Sequence, residues 1–196
     1  MKRGTAHAPR GEVRIIGGAW RSRRLAFPAG EGLRPTPDRV RETVFNWLAP
    51  HLPGAACLDL FAGSGVFGFE ALSRAAARAV LVEQRLEVAA ALRHNREQLK
   101  AEHADIVHAD AAEFLRGPAA AFDIVFLDPP YASGLLAPCM QLLEARGWLK
   151  PDAFIYLEAP QGEVPPLPAT WQLERSKTAG QVGYHLARRM QNKETP

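Results

Sequence analysis

The sequence predicts an α/β protein: a mostly parallel seven-stranded sheet covered by helices, closed by a C-terminal antiparallel hairpin and preceded by a small basic N-terminal extension. Three observations predict it. From Ala56 onward, short apolar runs alternate with helical segments, the order in which a parallel sheet with helices on both faces is built. The last two runs, "WQLERSKTAG" and "VGYHLARRM", have no helix between them and form an antiparallel pair at the sheet edge. Gly63, Gly65 and Gly68 make a G-x-G-x-x-G spacing just where the first of these strands gives way to a helix.

Taken in order, residues 1–12 are polar with Gly and Pro and read as disordered. "VRIIGGAWRSRRLAFP" offers two runs around Gly17 and Gly18, a β-hairpin carrying Arg14, Arg21, Arg23 and Arg24 with Trp20 among them. "LRPTPDRVRETVFNWLAP" is a helix with Thr36 as N-cap, Pro37 at the first helical position, Asp38 in the first turn and Pro50 as the stop. Strands follow at 56–61, 79–83, 104–109, 122–128 and 153–158, with helices near 65–76, 85–100, 111–116 and 134–146. The tail "QNKETP" reads as frayed. Residues 1–35 are thus a basic arm, and 36–196 the α/β domain.

Composition bounds the function. A chain of 196 residues, 47% hydrophobic, buries one good core. No apolar run approaches the ~18 residues of a membrane span, and no signal-peptide stretch opens the chain, so a cytoplasmic monomer is expected. Cys57 and Cys139 lack a CxxC partner and suggest neither a disulfide nor a metal. Charge is uneven: residues 1–41 hold ten Lys or Arg and three Asp or Glu, a net of +7, against 14 and 18, or −4, in the rest. Such a segment suits phosphate contacts, although a solvated tail would show the same count.

The glycine loop in "CLDLFAGSGVFGFEALSR" brings backbone N–H groups close to a ligand at a helix N-terminus. Glu83, 20 residues after Gly63, closes the second strand, where a carboxylate accepts hydrogen bonds from ribose hydroxyls. A dinucleotide and S-adenosyl-L-methionine fit this equally well until Asp59 is considered. A carboxylate at the mouth of the first strand repels a pyrophosphate but holds the ammonium of a methionine moiety. Asp110, in "VHAD", is placed to accept from an adenine amino group. Phe61, Ala62, Ser64 and Ala111 complete the candidate cofactor contacts. Solvated strand ends would account for Glu83 or Asp110 singly, but less well for three acids at successive strand ends.

"FLDPPY" puts Asp128 at the carboxyl end of an apolar strand, before Pro129, Pro130 and Tyr131. An exocyclic amino group on a nucleobase is a poor nucleophile because its lone pair is delocalised into the ring. Asp128 and the carbonyl of Pro129 can each accept one of its N–H groups and orient the nitrogen, while the prolines stiffen the acceptors. Tyr131 offers a face for an extruded base. A Pro-rich turn with an acidic start is the bland alternative.

These motifs carry a resemblance. "DLFAGSG" followed by "DPPY" resembles amino-methyltransferases that use S-adenosylmethionine. The wider set "RIIGGAWRSRRL", "LRPTPDRVRETVFNWL", "LDLFAGSGVFGFEALSR", "VLVEQ" and "FDIVFLDPPY" resembles the RsmD family of bacterial small-subunit ribosomal RNA guanine-N2 methyltransferases. The resemblance implies a Rossmann-like methyltransferase fold and methylation of guanine N2 at the 966-type site of 16S ribosomal RNA, naked or in the assembled small subunit. It implies cofactor roles for Asp59, Ala62, Gly63, Ser64 and Gly65, a ribose role for Glu83, and an amino-group site at Asp128, Pro129, Pro130 and Tyr131. Candidate RNA contacts are Arg14, Trp20, Arg21, Arg23, Arg24, Arg34, Thr36 and Arg39. Pro37 departs from the family's more usual threonine and leaves the helix start intact. No metal is needed.

Four other readings compete. A DNA adenine-N6 methyltransferase also carries D-P-P-Y, but the interval from Asp59 to Asp128 leaves no room for a target-recognition domain. A protein glutamine methyltransferase resembles N-P-P-Y and gives the basic arm no purpose. A nicotinamide-dependent oxidoreductase explains the glycines and Glu83 but gives "DPPY" no role. An RNA-binding module with a degenerate pocket is opposed by the intact pocket residues.

Overall fold

The computed structural model describes residues 10–28 and 35–190. The disorder expected of residues 1–9, the frayed tail 191–196 and the candidate Arg34 lie outside the described residues. Strands β1 (Arg10–Arg14) and β2 (Arg24–Pro28) pair antiparallel as a separate hairpin. Helix α1 (Asp38–Leu48) leads into the main sheet: β3 (Ala56–Asp59), α2 (Val66–Ser73), β4 (Arg78–Glu83), α3 (Leu86–Leu99), β5 (Ala104–His108), α4 (Ala111–Arg116), β6 (Phe122–Leu127), α5 (Leu136–Ala145) and β7 (Leu149–Pro160). Strands β8 (Trp171–Ala179) and β9 (Val182–Arg189) complete it.

The seven strands run in the order β5-β4-β3-β6-β7-β9-β8. The first five in sequence are parallel, and β9 is antiparallel to both β7 and β8. The chain leaves β3 for β4 on one side and later lays β6 on the other. A crevice therefore opens at the carboxyl end of β3, the switch point where such sheets bind ligands.

Strand residues alternate between two buried layers. Ile124 and Phe126 join Val44, Phe45, Phe67 and Leu92 on the face covered by α1, α2 and α3, while Val125 and Leu127 join Leu115, Cys139, Met140 and Leu143 under α4 and α5. All four residues of β3 are buried, as expected of a central strand covered on both faces. Burial pushes the thiols of Cys57 up to about 12 and of Cys139 up to about 11, which marks both as packing groups rather than nucleophiles.

Three expectations are corrected. Residues 10–12 belong to β1, because their backbone pairs with residues 26–28 of β2. Strand β7 begins at Leu149 rather than 153: Leu149 pairs with Phe122, and a bulge then absorbs Pro151 and Asp152, the latter at φ 63. A proline reads as a strand end because it cannot donate to the ladder. Thr36 does not cap α1. Pro37 occupies the N-cap without a side-chain bond, and the Thr36 hydroxyl instead donates to Glu158 at 2.9 Å. Pro50 falls within a 3-10 turn, Ala49–His51, that prolongs the helix end.

The hairpin is fastened to the domain. Val13, Ile15, Leu25 and Phe27 enter the same apolar cluster as α1, α2 and α3. Asn95 on α3 accepts the Ala26 N–H at 3.2 Å and donates to the Ala26 carbonyl at 2.9 Å, so one amide pairs with the open edge of β2. Ser73 accepts from the Trp20 N–H at 2.8 Å and donates to the Gly17 carbonyl at 2.6 Å. Gly18 has φ +74, and a Cβ there would lie 1.8 Å from the Ser73 carbonyl oxygen, so only glycine fits. Beneath the turn, fully buried Glu70 accepts from the Ile16 N–H at 2.7 Å and from Arg74 at 2.8 Å, with the buried Arg41 guanidinium 3.6 Å away.

Glu70→Ala leaves buried Arg41 without one of its two carboxylate partners and Ile16 without its acceptor. Breaking a buried pair in this way should cost about 3 to 5 kcal/mol in urea unfolding. Hydrogen exchange at the Ile16 amide should accelerate in the same variant; an unchanged midpoint would show that the hairpin is held by its apolar contacts alone.

Candidate active site

The glycine loop is shaped by the strand beneath it and the helix after it. Gly63 and Gly65 have φ 49 and 77, and Gly65 is the N-cap of α2. A Cβ on Gly65 would lie 2.5 Å from the Leu92 side chain, so the loop passes too close to α3 for any other residue. Gly68 has a different purpose: a Cβ there would lie 2.7 Å from Leu81, which lets α2 pack tightly on β4. Asp59, at the end of β3, accepts the Gly68 N–H at 3.0 Å and so satisfies one of the orphan donors of the first turn of α2. Its carboxyl is 3% exposed. Burial pushes it up to about 7, the negative charge of Glu83 adds to the rise, and the Gly68 hydrogen bond opposes it.

Glu83 ends β4 and ties the loop to the next turn. One oxygen accepts the Gly63 N–H at 3.0 Å and the other the Arg85 N–H at 2.8 Å. Asp110 caps α4, its Oδ1 accepting from Ala112 at 2.9 Å and Glu113 at 3.0 Å. Ala62, Ser64 and Ala111 are buried in the same floor, and half-buried Phe61 packs on the α4 and α5 side. The cofactor candidates therefore lie together on the carboxyl edge of β3, β4 and β5.

Asp128 directly follows β6, with Pro129 buried and Pro130 exposed after it, and residues 131–133 forming a 3-10 turn. Its carboxyl is held well above the usual carboxylate range, chiefly by burial, then by the charges of Glu158 and Asp59 and by a hydrogen bond to Glu158. Glu158 lies on β7, one step beyond the Leu127–Leu157 register, and is 5% exposed. Its Oε1 accepts from the hydroxyls of Thr36 at 2.9 Å and Tyr156 at 2.6 Å. Sequence reasoning does not single out Glu158 or Tyr156. The available signal is "IYLE", which repeats the pattern of "VLVE": a fourth acid closing an apolar strand.

The donor set suits a cationic ligand. Asp59, Glu83, Asp110, Asp128 and Glu158 ring one crevice, which disfavours a pyrophosphate and favours a sulfonium with an ammonium. Each ionised carboxylate has about four acceptor sites, so Glu83, with two used, retains capacity for ribose hydroxyls.

The candidate RNA contacts are more dispersed. Arg14 pairs with Asp38 at 2.6 Å and Arg24 with Glu12 at 2.8 Å. Arg23 donates to the Gln98 carbonyl at 2.9 Å, near the end of α3. Because α3 starts at the carboxyl edge beside Glu83 and ends near the start of β5, Arg23 sits at the opposite edge from Asp128. Trp20 is half-buried against the core, Thr36 is 8% exposed, and Arg21 and Arg39 are exposed.

Residues 13–188 match the family described as Conserved hypothetical protein 95. Ribosomal RNA small subunit methyltransferase D of Escherichia coli (strain K12) is 50% identical over 184 residues, 93% of this chain and 93% of that protein. The solved structure of the Escherichia coli protein yhhF superposes with a TM-score of 0.85 at 51% identity, covering 92% of this chain and 99% of that one. A Thermus thermophilus 16S rRNA N2 G1207 methyltransferase, solved with AdoMet and guanosine, shares the fold alone: TM-score 0.65 and 21% identity over 92% of this chain and 50% of that one. With its Rossmann-like methyltransferase fold and its glycine loop and D-P-P-Y turn at one sheet edge, the chain belongs to the Conserved hypothetical protein 95 family, that of ribosomal RNA small subunit methyltransferase D.

Proposed function

We propose that the chain methylates the exocyclic N2 amino group of a guanine in 16S ribosomal RNA, at the 966-type site, with S-adenosylmethionine as methyl donor. The observation that carries this reading is the position of Asp128 and Pro129 at the mouth of β6, beside an acid-lined crevice at the switch point of the sheet. The cofactor supplies an electrophilic methyl group on a positively charged sulfur. Asp59 holds the ammonium of its methionine moiety, directly or through water. Glu83 accepts from the ribose hydroxyls, and the second oxygen of Asp110 from the adenine amino group. Asp128 and the Pro129 carbonyl each accept one N–H of the target amino group and aim its nitrogen at the methyl. Tyr131 follows as the stacking face.

Two rival readings fare worse. An oxidoreductase binding a nicotinamide dinucleotide would have to seat a pyrophosphate among five acids. A DNA methyltransferase would need a recognition domain, and residues 60–121 are filled by α2, β4, α3, β5 and α4. The partner is RNA, naked or in the small subunit, met by a monomer whose N-terminal arm, residues 1–35, contributes phosphate contacts. No helix among the described residues is long and apolar enough to cross a membrane, in keeping with a cytoplasmic site of action.

Mass spectrometry of nucleosides from treated RNA and subunits decides the acceptor. N2-methylguanosine is expected, and N6-methyladenosine or a methylated cytosine in its place would sink the assignment. Asp128→Asn should lower kcat by about 10² to 10³ with little change in cofactor affinity, the scale of one lost preorganised transition-state contact.

The pH dependence of cofactor binding tests Asp59. In the free protein its carboxyl titrates near about 7, above the ordinary value of 3.8. Its contribution to stability is therefore full below the ordinary value and lost as pH rises through about 7. An ammonium seated on the ionised carboxyl reverses the preference, so S-adenosylhomocysteine should bind more tightly as pH rises across that window. Calorimetry in buffers of different ionisation enthalpy, at about pH 6, should count release approaching one proton, and none in Asp59→Asn. Pure buffer independence in the wild type would remove Asp59 from the ammonium site.

For RNA binding, Arg21→Ala and Arg39→Ala should each flatten the salt slope by roughly 0.7 to 0.9 without lowering the melting temperature. Deleting the arm tests nothing cleanly, because Val13 and Ile15 belong to the core.

A further inference from the structure

Glu158 is buried and charged, and the mechanism above gives it no part. The structure fixes it from several sides. The Thr36 and Tyr156 hydroxyls both donate to its Oε1, and it is hydrogen-bonded to Asp128. Two carboxyl groups share a hydrogen bond only when one of them carries a proton. The two hydroxyls favour the ionised form of Glu158, whereas burial and the facing charges of Glu158 and Asp59 favour the neutral form of Asp128. The pair thus holds one proton, on Asp128, and one negative charge, on Glu158. Other groups do not disturb this assignment. Tyr184, opposite Glu158 on β9, stacks on Trp47. Arg41 reaches the Thr36 carbonyl at 3.0 Å but directs its charge to Asp38 and Glu70.

We propose that Glu158 is the final acceptor of the proton that the target amino group loses, with Asp128 as the relay between them. The proposal rests on the amino-methylation reading. The amino lone pair forms the bond to the methyl carbon while the carbon–sulfur bond breaks, its electron pair remaining on sulfur. Asp128 takes the surplus N–H proton on the oxygen that faces the crevice and passes the proton on its other oxygen to Glu158. The sulfonium charge and the Glu158 charge disappear together, and Asp128 ends neutral, as it began. Glu158 acts through Asp128 and is therefore a positioning residue rather than one that touches substrate.

The pH profile of kcat separates this role from a structural one. In a coupled pair the lower of the two titration steps lies below that of the same carboxyl alone, so the wild type should stay active well into the acid range. In Glu158→Gln, Asp128 is its own proton acceptor, and its single titration sets the limit. The acid limb should therefore move up by about one pH unit or more, giving roughly tenfold lower relative activity at about pH 5. Above about pH 8 the variant should lie within about threefold of wild type, with KM for cofactor and RNA unchanged. Tyr156→Phe keeps both carboxyl groups but removes a donor from the Glu158 anion, and should move the acid limb in the same direction.

Infrared titration of the ligand-free chain reads the shared proton without turnover. A protonated-carboxyl band should be present at neutral pH, absent in Asp128→Asn, and displaced to lower pH in Glu158→Gln. A loss of kcat in Glu158→Gln that is uniform across pH, or a band that Glu158→Gln leaves in place, overturns the relay. A wild type that shows the band but methylates no RNA amino group overturns the functional reading, and the relay with it, while the shared proton stands.

Discussion

A carboxylate moved from water into a protein interior must recover its lost solvation from hydrogen bonds or give up its charge. That constraint governs the carboxyl edge of this sheet, where five acids meet. Asp59 takes the Gly68 amide, Glu83 the amides of Gly63 and Arg85, Asp110 two amides of α4, and Glu158 two hydroxyls. The same bonds set the geometry of the crevice. The glycine loop is held between Asp59 below and Glu83 beside it, so the groups that recognise the ligand also shape the backbone that cradles it.

The hydrogen bonds left over explain the chemistry. Asp59 and Asp128 are the least compensated acids, and both are pushed towards the neutral form. A cationic ligand restores the ionised state of Asp59, which makes ligand binding and proton release one event. Asp128 has Glu158 behind it, so its proton has somewhere to go. Crowding acids at one edge is costly in the empty protein, and the cost favours a ligand that brings positive charge.

The basic arm and the catalytic edge share a framework. Glu70 anchors the hairpin turn and lies against Arg41; Arg41 holds the Thr36 carbonyl; the Thr36 hydroxyl reaches Glu158. A segment that reads from charge alone as an RNA-binding appendage therefore packs into the core and carries a residue that orders the active site. Several of its arginines serve the fold as well. Arg14 and Arg24 are paired on the surface, where such pairs contribute little to stability, and Arg23 satisfies a carbonyl near the C-terminal end of α3.

The sequence by itself determined the order of strands and helices, the glycine loop, and the acids at four strand mouths, because each is written in contiguous residues: a period-2 or fully apolar run, a glycine spacing, a carboxylate at its end. It also carried the C-terminal hairpin, since two β-rich runs without a helix between them can only pair. Tertiary structure alone decided that β9 inserts beside β7, that β7 bulges past Pro151 to begin at Leu149, and that Thr36 turns away from α1. It decided also that Glu158 stands behind Asp128. Residues 36, 128 and 158 are far apart in the chain and carry no joint signal in it. They meet because β7 lies beside β6 in parallel register and α1 packs over both, and a hydrogen bond between such residues is fixed by that packing rather than by local spacing.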